Sequence, residues 1–93
     1  LRAEGATVET ATMDLSTEGG VDELWSRVQG RELDVLVANA GFGLGHRFVD
    51  QPWDGIRATI GTNVTGTVRL LHLALPRMMA RGAGRILVTG SIA

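Results

Sequence analysis

Polar and apolar positions alternate along residues 7–15, with Ala11, Met13 and Leu15 on one side and Thr10, Thr12 and Asp14 on the other. A period of two predicts a half-buried strand, because successive side chains leave a strand on opposite faces. The period then changes. Val21, Leu24, Trp25 and Val28 recur at helical spacing behind Ser16, which predicts a short amphipathic helix with Ser16 as its N-cap and Gly30 as its stop. Residues 33–38 are almost continuously aliphatic, as suits a strand covered on both faces. They run into Asn39-Ala40-Gly41 and a glycine-rich loop through Gly45.

A long helical pattern follows over residues 53–81, with its main apolar face at Ile56, Ile60, Val64, Val68, Leu71, Leu75 and Met78. Leu70, Leu73 and Met79 lie off that face, so the helix is apolar over more than one stripe. Gly61, Asn63 and Gly66 are weak helix formers, and Pro76 lacks a donor, so a break or bend is expected near Asn63 and a second at Pro76. Gly82 and Gly84 end the pattern, and Ile86-Leu87-Val88 begins a second continuous apolar strand that leaves through Thr89-Gly90-Ser91. Strand, helix, strand, helix, strand with crossover-length connections is the order of a doubly wound α/β sheet, in which ligands sit at the carboxyl ends of the strands. Asp14, Asn39 and Ser91 all stand at such ends.

Composition narrows the function classes. Ninety-three residues with 44% hydrophobic content support one small core. A net charge of −1 gives no electrostatic case for nucleic acid or an anionic membrane. There is no cysteine, no apolar run near the roughly 18 residues of a membrane span and no signal peptide, so a cytoplasmic location is expected. No histidine pair has metal-ligand spacing, and no metal is expected. The chain has no tyrosine and no lysine; its basic residues are all arginine. It opens on Leu1, with a helix tail expected over residues 1–4, and stops just past a strand, which reads as an internal fragment of a longer domain.

Four local signatures in order, Asp14-Leu15, Asn39-Ala40-Gly41, Asn63-Val64-x-Gly66 and Ser91, resemble the classical short-chain dehydrogenase/reductase family over essentially the whole chain. The intervals from Asn39 to Asn63 and from Asn63 to Ser91 match the family's spacing. The resemblance implies a partial Rossmann-type parallel sheet, strands three to five of the order 3-2-1-4-5-6. Strand three, over residues 7–15, would then stand two strands from strand four, without its ladder partner. The resemblance also implies a nicotinamide cofactor, NAD or NADP, and hydride exchange with an alcohol or carbonyl substrate. Asp14 would accept a hydrogen bond from the adenine amino group, with the Leu15 backbone nearby. Ala40 and Gly41 would line the nicotinamide-side ribose, and Asn39 would tie neighbouring strands together. Thr62 would touch the cofactor. Asn63 would mark a bend whose freed carbonyl holds a water. Ser91 would polarise the substrate carbonyl, beside a tyrosine and a lysine located beyond Ala93. Members commonly pair the long helix across a two-fold axis, which implies a homodimer or homotetramer. The stretch from Asn39 to Gly45 and the Val88-Thr89-Gly90-Ser91 ending look like the subset acting on steroid, retinoid or other lipophilic alcohols.

Other features have plainer readings. Gly41-x-Gly43-x-Gly45 does not open a helix and is no dinucleotide fingerprint. Thr89-Gly90-Ser91 comes too late in the motif order to be the phosphate loop. His46 reads as solvated, His72 as a surface or interface residue, and Trp25 and Trp53 as packing residues. Arg77 and Arg81 suit a helix C-terminus. The alternative to an enzyme is a non-catalytic member of the same fold acting as a binding or regulatory protein; a Tyr-x-x-x-Lys pair downstream separates the two.

Overall fold

The computed structural model of the chain describes residues 2–91. Leu1, Ile92 and Ala93 lie outside the described residues, so the helix tail expected over residues 1–4 is seen only as a single 3-10 turn at Arg2–Glu4. Helix α1 spans Glu18–Val28 and strand β1 Val35–Ala38. A 3-10 turn at Phe48–Asp50 precedes α2, Trp53–Ile60. A π-helical segment, Gly61–Gly66, joins α2 to α3, Thr67–Arg81, and strand β2 spans Arg85–Val88. The two strands pair in parallel, Val35 beside Arg85 through Ala38 beside Val88. The ladder is extended at its ends by Arg85 N–H to the Asp34 carbonyl and Thr89 N–H to the Ala38 carbonyl, at 2.9 and 3.0 Å.

Residues 7–15 form no strand, contrary to the period-two expectation. A strand exists only through its ladder, and the two-stranded sheet of the described residues contains no neighbour for this segment. It is held instead by an Arg31–Glu9 ion pair at 2.9 Å and by its last residues. The helix cap is also displaced by one residue. Thr17, not Ser16, is the N-cap of α1, and its hydroxyl oxygen accepts from the Gly20 N–H at 3.0 Å. Ser16 is engaged upstream, on Asp14.

The long helix departs from its sequence pattern at one place and not at the other. At residues 61–66 it widens to the π form, where a bend near Asn63 is expected. At Pro76 α3 runs on unbroken to a left-handed Gly82, a conformation that a residue without Cβ adopts at no steric cost.

Its core-facing side is a different one from its most hydrophobic one. Thr62, Gly66, Ala74 and Met78 are buried, Ala74 completely, whereas Val64 and Val68 are 55% and 59% exposed. Ile60 and Leu75 of the expected apolar face are exposed with those valines, and so is Met79, which the pattern placed off it, whereas Met78 of that face is buried. Four of the seven residues of the expected apolar face therefore lie on the outer side, Ile56 and Leu71 are half-buried, and Met78 points inward. Thr62, Gly66 and Ala74 face inward where the helix lies close over α1 and β1, and a larger side chain at these places would hold it off. Two arginines strap it there. Arg77 stacks over Trp25 at 5.2 Å and donates to the Val28 and Arg31 carbonyls, adding a side-chain donor to the backbone bond that Val28 already accepts from the Arg31 N–H. Arg81 donates to the Leu33 carbonyl at 3.0 Å and pairs with Asp34 at 3.0 Å. Both act across elements, beyond any effect on their own helix end. Trp53, expected to pack, is 64% exposed.

Enlarging the inward side should therefore cost more than any change outside it. Ala74→Leu in the parent protein is expected to destabilise by about 1–3 kcal/mol through overpacking, and Ala80→Gln, at an exposed position off the outward stripe, by less than about 0.5 kcal/mol. Thermal unfolding of both variants checks this; equal effects would mean that the inward face is wrongly assigned.

Candidate active site

The carboxyl ends of β1 and β2 open onto one cleft of about 830 Å³. The register dictates this: Ala38 lies beside Val88, so Asn39 and Thr89 are the next pair and both chains turn out of the sheet together. The Thr89 hydroxyl donates to Asn39 Oδ1 at 2.8 Å, which fastens the two exits. Asn39, Ala40, Gly41, Phe42, Leu44, Asn63 and Ser91 line the cleft. Side chains from β1, β2 and the π segment thus converge on one space, as the rule for ligands at parallel strand ends requires.

Asn63 holds the loop that follows β1. Its Oδ1 accepts from the Phe42 N–H at 3.0 Å and its Nδ2 donates to the Phe42 carbonyl at 2.7 Å. One amide side chain thereby satisfies both backbone groups of a residue outside any regular element. Gly41 is part of the same arrangement: a Cβ on it would stand 3.0 Å from Asn63 Oδ1, tight against the oxygen that holds Phe42. The Asn63–Phe42 clamp was not legible in the sequence, because it joins residues far apart through a side-chain direction that only the widened helix sets. The Asn39–Thr89 bond had one visible signal, a hydroxyl residue directly after an aliphatic strand.

Three candidate residues, Asp14, Leu15 and Thr62, lie off the cleft. Thr62 is buried and faces an apolar cavity of about 250 Å³ between α1 and β1, a space Leu15, Asn39 and Ala40 also line. Asp14 stands at the head of α1, fully exposed. Its Oδ1 accepts from the Ser16 hydroxyl at 2.6 Å and from the Ser16 N–H at 2.9 Å. These bonds, the hydroxyl first, hold its carboxyl below the usual carboxylate value. Both use Oδ1, so the second oxygen is the one available as an acceptor for a ligand donor. His46 contributes only its carbonyl, to Gln51 Nε2 at 2.8 Å, and does not line the cleft. Among the described residues no cluster of His, Cys, Asp and Glu could hold a metal ion, and no helix is long and apolar enough to cross a membrane.

The sequence profile described as short chain dehydrogenase matches residues 1–93. The chain belongs to this family. The 17-beta-hydroxysteroid dehydrogenase type 1 of Homo sapiens is 41% identical over 86 residues, which cover 92% of this chain and 26% of that protein. Retinol dehydrogenase 8 of Bos taurus is 36% identical over 90 residues, covering 97% of this chain and 29% of that protein. Among solved structures, the short-chain dehydrogenase from Sphingobium yanoikuyae in complex with NADPH matches with a TM-score of 0.88 at 31% identity, over 98% of this chain and 37% of that one. This short-chain dehydrogenase chain spans 25% to 37% of the length of the curated relatives it matches. The fold class is that of a partial Rossmann-type α/β sheet, of which β1, β2 and the helices around them are one part.

The geometry at Asp14 fixes the sign of a titration. Because the folded-state pKa is lowered, the stabilisation from the Ser16 bonds is present above the ordinary value of 3.8 and is lost as the pH falls through the lowered one. Ser16→Ala in the parent protein should move the Asp14 carboxyl back up toward 3.8, followed by carboxyl NMR. An unmoved titration would show that Ser16 does not hold the carboxylate in solution.

Proposed function

We propose that the parent protein of this chain is an NAD(P)-dependent oxidoreductase interconverting an alcohol and its carbonyl compound. The observation that carries the reading is the shared cleft, which brings Ser91 at the end of β2 together with Asn39, Ala40 and Gly41 at the end of β1. The residues present fit a dinucleotide: small residues border the cleft so that a flat ring and its ribose can approach the backbone, and Asp14 offers a carboxylate acceptor to an adenine amine. NADPH in the Sphingobium yanoikuyae relative supports the same cofactor class. A bound NAD(P) supplies the hydride acceptor or donor.

This chain's residues do the rest of what lies within it. The Ser91 hydroxyl donates to a substrate carbonyl oxygen, or accepts from the alcohol in the reverse direction, and orients the reacting carbon. Asn63 holds Phe42 and so the cleft's floor. The group that moves the proton comes from elsewhere in the parent protein, a tyrosine assisted by lysine in the family pattern, since this chain has neither. Phe42 and Leu44 give the cleft an apolar wall, which, with the steroid and retinol dehydrogenases among the relatives, supports a lipophilic substrate. The outward stripe of Ile60, Val64, Val68, Leu75 and Met79 supports pairing of this helix with a second copy in a homodimer or homotetramer.

Ser91→Ala in the full-length protein should lower kcat on a lipophilic alcohol by about a hundredfold or more while cofactor affinity stays nearly constant. Unchanged turnover would remove Ser91 from the mechanism. Cofactor binding without any turnover by the unsubstituted protein would favour a binding or regulatory member of the family. For the assembly, Val64→Asp with Val68→Asp should yield monomers by light scattering. An unsubstituted parent that is already monomeric at concentrations on the order of micromolar, where specific interfaces hold, would refute the pairing.

A further inference from the structure

The three residues that carry the Asp14 turn are pressed, main chain to main chain, against α1 and against the long helix that brings Asn63 to the cleft. The Asp14 carbonyl occupies the place a Cβ of Gly20 would take, and the Ser16 carbonyl the place of a Cβ of Gly61. Between them the Leu15 carbonyl lies 2.6 Å from where a Cβ of Gly66 would stand. Gly61 and Gly66 are the first and last residues of the π segment, and Asn63 lies between them. Backbone atoms cannot swing aside as a side-chain end can, so any side chain at these glycines must displace either the turn or the helix. By contrast, a Cβ on Gly19, in the first turn of α1, meets nothing within 4 Å.

We propose that Gly61 and Gly66 are positioning residues that couple the two ends of the cofactor site. Through them the Asp14 turn, at the adenosine end, rests on the helix segment whose Asn63 holds Phe42 at the reaction end. The spacing between the carboxylate and the cleft is thus set by a backbone joint, and ligand held at one end restrains the other. The inference rests on the reading of Asp14 as an adenosine contact made above.

The full-length protein tests it with 5′-AMP and adenosine 2′,5′-bisphosphate, which carry only the adenosine half. In hydrogen exchange on the unsubstituted protein, binding of whichever of these has the higher affinity should slow the amides of residues 61–66 as well as those of residues 14–17. Protection confined to residues 14–17 would overturn the coupling. Gly61→Ala should weaken the same ligand by about tenfold to a hundredfold, the scale on which a misplacement of about 1 Å acts. Gly19→Ala should leave its affinity unchanged. Equal affinities in the two variants, each with a cooperative thermal transition, would also overturn the inference while leaving the oxidoreductase reading intact. If NADH and NADPH bind the unsubstituted protein but neither adenosine fragment protects residues 14–17, the assignment of Asp14 fails and this inference with it. Where Gly61→Ala does not fold, the exchange experiment on the unsubstituted protein decides alone.

Discussion

Close passage of the main chain of residues 14–16 over glycines of two helices is the constraint on which the rest of this structure depends. It can occur only where Gly20, Gly61 and Gly66 present no Cβ. The last two bracket the segment in which the helix widens, and a helix carrying weak formers at these places gives way there more readily than elsewhere. The widened turn sets the direction of the Asn63 side chain, and Asn63 then takes both backbone groups of Phe42. From Phe42 the path is short to Gly41 and Asn39, and through the Asn39–Thr89 bond to the end of β2 and Ser91. A contact at the head of α1 thereby fixes a loop on the far side of the cleft.

The same closeness explains the distribution of side chains on α3. The small inward residues Thr62, Gly66 and Ala74 let the helix approach α1 and β1, and Val64, Val68, Leu75 and Met79 are left outside. What holds α3 in place at its C-terminal end is largely polar. Arg77 and Arg81 end on carbonyls between the end of α1 and β1, and the stacking of Arg77 on Trp25 uses the guanidinium's flat face as well as its charge. The Arg69–Asp22 pair at 3.0 Å joins the two helices nearer the middle, a half-exposed contact of the kind that contributes little by itself. Stacking, carbonyl bonds and the Arg81–Asp34 pair together account for the join.

Much of this chain follows from sequence alone because it is local. Aliphatic runs bounded by glycine and asparagine mark β1 and β2, the recurrence of Val21, Leu24, Trp25 and Val28 marks α1, and Gly61, Asn63 and Gly66 mark the place where the long helix changes form. The ordered motifs identify the family and indicate which residues belong at the strand ends. Periodicity, however, reports only which residues share a face, never which face is covered. That choice was made by how near α3 can come to the sheet, and it turned Ile60, Val64, Val68 and Leu75 of the apolar stripe outward while Met78 of the same stripe is buried. Residues 7–15 alternate as a strand does, yet a ladder needs a neighbour, and the fold of the described residues provides none. The cap moved from Ser16 to Thr17 because the Asp14 carboxylate had already taken the Ser16 hydroxyl. The clamp of Asn63 on Phe42 depends on two segments distant in sequence meeting at hydrogen-bond distance, and only the tertiary structure brings them there.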